Sequence, residues 1–112
     1  MEIETIDRDE LKAKLDRGDD FKLAMTLHAW AFEAAHIPGS ISVTSPTEAA
    51  SQLDPEDEIV VYCSDVDCVA SKIAYRALRE AGFANVRRYA GGLSDWQDAG
   101  YPLEGGRVPG GR

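Results

Sequence analysis

The sequence has little cysteine and no long apolar run, and each shortage excludes a class of protein. Its 112 residues include two cysteines, too few for a disulfide framework, so a reducing compartment is the expected setting. No Cys and His spacing is typical of a zinc site, and we expect no metal and no cofactor. No apolar stretch approaches the roughly 20 residues of a membrane span. The acidic start Met1-Glu2-Ile3-Glu4 has no basic segment or apolar core of a signal peptide, so we expect a cytoplasmic protein.

Positive charge is also scarce. Asp and Glu total 20 against 12 Lys and Arg, giving a net charge of −8. Such a chain repels nucleic acid and anionic membranes, and we expect neither as a partner. The acidic surface fits either a salt-adapted cytoplasm or an ordinary acidic protein. The length and a hydrophobic content of 44% indicate one domain with a real core.

The central feature is a buried strand followed by a cysteine loop and a helix. Residues 59–62 are four β-favouring apolar residues in a row, as in a parallel strand covered on both faces. A polar hexapeptide, 63–68, carries both cysteines. From Val69 a helix is predicted, with Ile73, Leu78 and Ala81 on its apolar stripe and Gly82 at its end. Cys63 is therefore expected at the carboxyl end of a parallel strand, where ligands bind in open α/β sheets.

Two interpretations of Cys63 stay open at this point. Loop N–H groups and the dipole of the following helix favour an anion there, which predicts a lowered pKa and a reactive thiolate. The alternative is a buried, inert thiol, since free cysteine is among the most buried residue types.

The rest of the chain alternates strands and helices. Further strands are predicted at residues 3–6, 21–27, 41–43 and 85–89. Further helices are predicted at residues 7–18, capped by Asp7 and Glu10; 28–36; 45–53, capped by Ser45 with Pro46 and Glu48; and 93–100. This alternation predicts a three-layer α/β fold with a parallel sheet. We place the domain at residues 1–104 and a flexible, glycine-rich tail at 105–112.

Several short motifs follow one another over residues 3–104. They are His36-Ile37-Pro38-Gly39; Val61-Tyr62-Cys63; Ala81-Gly82-Phe83 with Asn85-Val86; Gly91-Gly92-Leu93 with Trp96; and Ala99-Gly100-Tyr101-Pro102. In the same order, they resemble the "GHIPGA", "YC" strand-end, "AGF-x-NV", "GGIxxW" and "AGxP" motifs of rhodanese-like domains, the single-domain sulfurtransferase family.

The resemblance implies a five-stranded parallel sheet and a sulfurtransferase or sulfane-sulfur carrier. Cys63 would form a persulfide from a small sulfur donor and pass the sulfur to cyanide or to a thiol or protein acceptor. The substrate-binding loop would be Ser64, Asp65, Val66, Asp67 and Cys68. Structural motif roles would fall to His36, Pro38, Gly39, Gly91, Gly92 and Trp96. Related phosphatases have a longer loop that ends in arginine, which this chain lacks.

The chain departs from the family pattern at the second strand and in the loop. Met25-Thr26-Leu27 stands where members usually carry an Asp-x-Arg pair, and the loop has no arginine. It resembles a subgroup with a Cys-x-x-x-x-Cys loop. Two acidic loop residues without a cation predict poor activity with dianionic thiosulfate. The same losses leave open a non-catalytic interaction or regulatory module.

The remaining cysteine, the basic residues and the aromatic residues are predicted to serve in packing or at the surface, with one alternative for the cysteine and one for Arg87-Arg88. Cys68 is either a resolving thiol or a packing residue. We predict that the basic residues near the central helix form a solvated face, with Arg87-Arg88 as an alternative docking site for an acidic partner. The basic residues in question are Lys72, Arg76, Arg79, Arg87 and Arg88. The aromatic residues Trp30, Phe32, Trp96 and Tyr101 are predicted to pack in the core or at its rim.

Overall fold

The computed structural model describes residues 3–26, 29–43, 45, 48, 51–64 and 69–106. The helices that lie wholly within these ranges are α1 (Arg8–Arg17), α2 (Ala29–Ala34), α3 (Ala70–Glu80) and α4 (Gly92–Asp98). Four strands accompany them: β1 (Lys22–Met25), β2 (Ser40–Ser42), β3 (Ile59–Tyr62) and β4 (Val86–Tyr89). No helix in the described ranges is long and apolar enough to cross a membrane.

The strands form one parallel sheet in the order β2-β1-β3-β4. This confirms the α/β fold with a parallel sheet, but the expected count of five strands is wrong for the described residues. The N-terminal segment adds only an isolated bridge between Thr5 and Arg88. Two hydrogen bonds hold it, from Arg88 N–H to Glu4 O and from Ile6 N–H to Arg88 O. Asp7 then caps α1, so the segment ends before a ladder can form.

Both faces of the sheet are buried, as the apolar run at β3 predicts. Alternate residues of β3 enter different clusters. Ile59 and Val61 pack with α3, while Val60 and Tyr62 pack with α1 and α4. All four β3 side chains are fully buried, so the strand that leads to Cys63 is fixed from both sides.

The predicted cap of α1 is confirmed at Asp7, whose carboxylate accepts the Glu10 N–H at 2.8 Å. The reciprocal half of the capping box is wrong. The Glu10 carboxylate binds Arg87 instead, with two contacts of 2.8 and 2.9 Å. A bidentate ion pair with a strand residue replaces the bond to the helix's own backbone.

The predicted apolar stripe of the central helix is only partly right. Leu78 is buried, but Ile73 is 56% exposed, and Ala81 is exposed. The buried face consists of Ser71, Ala74, Tyr75 and Leu78. These positions share one side at helical spacing, and the two hydroxyl residues concealed that face from a purely apolar count. Gly82, with φ of 101°, follows the helix end as expected.

The other boundaries lie within a few residues of the predicted ones. The strand expected at 21–27 covers Lys22–Met25, and the helix expected at 28–36 covers Ala29–Ala34. The Ser45 cap is confirmed by a 3.1 Å bond from Glu48 N–H to Ser45 Oγ. Leu27, His28, Pro46 and residues 107–112 lie outside the described residues.

Candidate active site

Cys63 directly follows β3 at the carboxyl edge of the sheet, and its exposed fraction is 1%. The first turn of α4 holds this point of the chain. Leu93 N–H donates to the Cys63 carbonyl at 2.9 Å, and Ser94 N–H donates to the Ser64 carbonyl at 2.8 Å. Backbone donors at the start of a helix thereby fix the first two loop residues.

Two glycines allow α4 to approach Cys63 closely. A Cβ at Gly91 would lie 2.6 Å from the Cβ of Asp95, a separation that side chains do not tolerate. Gly92 has a φ of 65°, in the left-handed region that favours glycine. The pair of glycines therefore allows the turn from β4 into α4 that reaches Cys63.

Tyr62 links the strand end to the turn around Pro38. Its hydroxyl accepts the Ile37 N–H at 3.0 Å and shares a 2.9 Å hydrogen bond with Ser40 Oγ. Burial raises the pKa of Tyr62 to about 12, with the two hydrogen bonds acting in the opposite direction. Thr26 binds the Tyr62 carbonyl through both its N–H and its hydroxyl. Tyr62, the residue before Cys63, is thus fixed by hydrogen bonds at both its hydroxyl and its carbonyl.

His36 lies at the start of that same turn. Its Nδ1 is 2.7 Å from the Phe32 carbonyl, and its ring stacks on Phe32 with centroids 3.9 Å apart. Nε2 is 3.4 Å from a Glu104 carboxylate oxygen, and the backbones of His36 and Glu104 exchange two hydrogen bonds. These contacts fasten residue 104 to the end of α2 and use both ring nitrogens for structure.

A second network of hydrogen bonds joins α4 to β4 and α1. The Tyr89 hydroxyl donates to Asp95 at 2.6 Å, and Arg8 donates to the other oxygen of the same carboxylate at 3.1 Å. Burial, followed by the bond to Asp95, raises the pKa of Tyr89 well above its usual value. Trp96 is buried beside it, with its indole N–H bonded to the Pro102 carbonyl at 2.9 Å.

The prediction of a solvated basic face is wrong for Arg88. Its exposed fraction is 5%, and Nε donates to Ser71 Oγ at 2.8 Å. Arg87, next to it, points to the other face of the sheet and binds Glu10. The alternation of β4 could have revealed this, because Arg88 shares a face with the buried Val86. Trp30, expected in the core or at its rim, is 69% exposed, because it lies on the outer side of α2.

The structure places only part of the predicted loop. Cys63 is disulfide-bonded in it, and Ser64 is half-buried. Asp65, Val66, Asp67 and Cys68, the chain's other cysteine, lie outside the described residues, so their roles stay predictions. The described elements bring Cys63, Tyr62 and the turn at 36–40 together with the start of α4.

Comparison with known proteins agrees with this architecture. Residues 7–99 match the model of the Rhodanese-like domain. Over 105 residues the chain is 30% identical to the HTH-type transcriptional regulator Rv0324 of Mycobacterium tuberculosis, covering 92% of this chain and 46% of that protein. Over 96 residues it is 27% identical to YrkF of Bacillus subtilis, named as a candidate sulfur carrier protein, covering 84% and 51%. The chain thus spans about half the length of the curated relatives it matches.

Comparison with solved structures also finds rhodanese-like and sulfurtransferase folds. The rhodanese-like domain of the Anabaena Alr3790 protein is 29% identical with a TM-score of 0.81, covering 100% of this chain and 88% of that one. A thiosulfate sulfurtransferase from Pseudomonas aeruginosa is 25% identical with a TM-score of 0.79, covering 95% and 21%.

Proposed function

The chain belongs to the rhodanese-like domain family, and we propose that it is a sulfurtransferase or sulfane-sulfur carrier that forms a persulfide on Cys63. One observation carries the proposal: Cys63 directly follows the inner strand β3 at the carboxyl edge of the sheet, and the start of α4 binds its carbonyl. The similarity to a thiosulfate sulfurtransferase and to a candidate sulfur carrier protein supports the same chemistry.

The proposed cycle begins by freeing the Cys63 sulfur from its disulfide. Two external thiols reduce the disulfide to two protein thiols and leave as one external disulfide. The Cys63 thiolate then attacks the outer sulfur of a donor. With thiosulfate, the sulfur–sulfur bond of the donor breaks, sulfite leaves with the electron pair, and Cys63 becomes a persulfide. Cyanide or an acceptor thiolate next attacks the outer persulfide sulfur, which regenerates the Cys63 thiolate.

We further propose that thiosulfate is a poor donor. The loop sequence adds two carboxylates, Asp65 and Asp67, within four residues of Cys63. In general, two solvent-exposed carboxylates ~6 Å from a site would disfavour an incoming dianion by on the order of 1–3 kcal/mol before screening. A monoanionic donor meets about half of this cost, and a neutral donor meets none of it.

Mass spectrometry of the reduced protein after incubation with sulfur donors tests the proposal. The donors are thiosulfate, polysulfide, mercaptopyruvate and a cysteine desulfurase with cysteine. We expect one added sulfur on Cys63 in wild type and in Cys68→Ser, and none in Cys63→Ser. An unmodified wild type with every donor would rule out sulfur transfer by this domain.

A second candidate function is a regulatory module without turnover. The observation that favours it is the relative named as an HTH-type transcriptional regulator, of which this domain covers about half. Under this hypothesis the domain binds a partner through its fold, and Cys63 is dispensable. Complementation of a deletion strain by Cys63→Ala distinguishes the two: normal complementation favours the module, and failure favours sulfur transfer.

A further inference from the structure

The outer side of α3 carries exposed apolar side chains. Three large apolar residues are exposed in the described part of the chain, and two of them belong to this helix and its first turn, Val69 at 59% and Ile73 at 56% exposure. The Val69 carbonyl accepts the Ile73 N–H at 3.0 Å. Because the two residues are four positions apart in a helical turn, their side chains are neighbours on its surface. Covering this apolar pair with a partner would remove it from water, which is favourable.

Two cations flank the apolar pair. Lys72 is half-buried and follows Val69 by three residues, and the exposed Arg76 follows Ile73 by three. Helical spacing therefore places each cation beside one apolar side chain. No ion pair joins Lys72 or Arg76 to another described residue, and the nearby Glu80 is exposed on the same helix. Six other described cations do form ion pairs: Arg8, Lys12, Lys14, Arg17, Arg79 and Arg87. We call Val69, Lys72, Ile73 and Arg76 the α3 face.

The α3 face begins at the same edge of the sheet as Cys63. Strands β3 and β4 are parallel and α3 connects them, so the helix runs back from the carboxyl edge of the sheet. Cys63 follows β3 at that edge, and Val69 precedes the helix there. The opposite side of α3 packs on the sheet through Ala74, Tyr75 and Leu78. A partner on the α3 face would therefore lie at the edge that holds Cys63.

We propose that the α3 face is a docking surface for an acidic protein segment that carries apolar residues. The chain has a net charge of −8 and repels such a segment over most of its surface, whereas Lys72 and Arg76 attract it here. Val69 and Ile73 give its apolar side chains a place to be buried. A basic segment gains no attraction from these two cations. That the segment belongs to the protein that accepts sulfur from Cys63 rests on the proposed function, whereas the docking itself does not.

A fluorescent helical peptide tests the docking. It carries two leucines four residues apart, with a glutamate one turn from each, so that its charges and apolar side chains match the α3 face. We expect wild type to bind it more weakly as salt is added, with NMR shift changes centred on α3. Arg76→Glu should weaken binding by about 2- to 25-fold, and Ile73→Ser by about 4- to 12-fold. No binding, or shift changes centred elsewhere, would overturn the proposal.

Lys22→Glu is the matched control for Arg76→Glu. Lys22 is likewise exposed and forms no ion pair with a described residue, but it begins β1, at the amino edge of the sheet. Its variant should bind the peptide within about 2-fold of wild type, because the two sites are far apart relative to the screening length. An equal fall in both variants would show unspecific attraction and refute a docking surface. Sedimentation velocity covers another occupant: a dimer that Ile73→Ser dissociates would assign the α3 face to a second copy of the chain and overturn the proposal.

The same peptide with a cysteine added at one end tests the link to sulfur transfer. Its thiolate attacks the outer sulfur of the Cys63 persulfide, the sulfur–sulfur bond breaks, and Cys63 leaves as the thiolate while the peptide becomes the persulfide. Arg76→Glu should lower the rate of transfer to the peptide more than the rate of transfer to cyanide. Equal losses with the two acceptors would show that the α3 face does not dock the acceptor. If wild type forms no persulfide, the proposed function fails, and peptide binding still decides the docking surface.

Discussion

Removing the hydroxyl of Tyr62 should destabilise the domain far more than removing an exposed tyrosine hydroxyl. Tyr62 and Ile37 are both fully buried, and the Tyr62 hydroxyl accepts the Ile37 N–H. Tyr62→Phe leaves that N–H without its acceptor. A buried donor left unsatisfied costs about 1–3 kcal/mol. Ser40 loses less, because its hydroxyl keeps a 2.6 Å bond to the Ile37 carbonyl.

Urea denaturation under reducing conditions measures this loss. With an m-value of about 1.5 kcal/mol/M, a loss of about 2 kcal/mol lowers the midpoint by about 1.3 M. Tyr101→Phe is the control, since the Tyr101 hydroxyl donates to Asp9 in an exposed bond of 3.1 Å. Its effect should stay within about 0.5 kcal/mol. Similar losses in the two variants would show that the burial of the Tyr62 hydroxyl has no energetic consequence.

The stability difference between wild type and Tyr62→Phe should also depend on pH. The pKa of Tyr62 is raised from 10.0 to about 12 in the folded protein, so the folded state keeps a proton that the unfolded state releases. Stability from this group is therefore complete below pH 10 and is lost as the pH rises through about 12. Two pH units correspond to about 2.7 kcal/mol. The stability gap between wild type and Tyr62→Phe should close over this range, and a constant gap would refute the reasoning.

Three further predictions concern the loop and its support. Gly91→Ala forces a Cβ against Asp95; it should lower stability by about 1–3 kcal/mol and slow persulfide formation, as measured by urea midpoints and mass spectrometry. Asp65→Gly or Asp67→Arg should raise kcat/KM for thiosulfate at low salt, whereas strong activity in wild type would contradict the assumed repulsion. If Cys68 is a resolving thiol, it attacks the Cys63 persulfide, closes the disulfide and releases hydrosulfide, so Cys68→Ser should lengthen the persulfide lifetime; equal lifetimes would return Cys68 to a packing role.

Local signals predicted the parts of the fold that depend on neighbouring residues. The Asp7 cap and the buried strand at 59–62 follow from patterns a few residues long. The long-range hydrogen-bond partners of residues in these elements could not be predicted from such short patterns. Glu10 binds Arg87, 77 positions away, and no helix-capping pattern contains that information. The Tyr62 hydroxyl likewise finds Ile37 through the sheet, 25 positions away.

Arg88 shows a different kind of failure. Two adjacent arginines in an acidic chain suggest one solvated surface, but a strand sends them to opposite faces. Arg87 reaches the α1 side and an ion pair at its rim, and Arg88 enters the side that α3 covers. The relevant signal is the alternation from the buried Val86, which places Arg88 on the covered face and Arg87 on the other one. In strands that lead to a site, the face of a charged residue is more informative than its charge.

These contacts bear on the proposal that a loop without arginine is a site for sulfur transfer. Tyr62 is held by the turn at 36–40, and the Cys63 carbonyl is held by α4. The start of α3 is held by Arg88 through Ser71. Each support comes from outside the loop and meets backbone or flanking residues, so loop side chains can change without moving Cys63. Under the proposed function, the absence of loop arginines should therefore alter the field that a donor meets more than the position of the Cys63 backbone. Donor choice, and not the ability to form a persulfide, is the property that these substitutions should change.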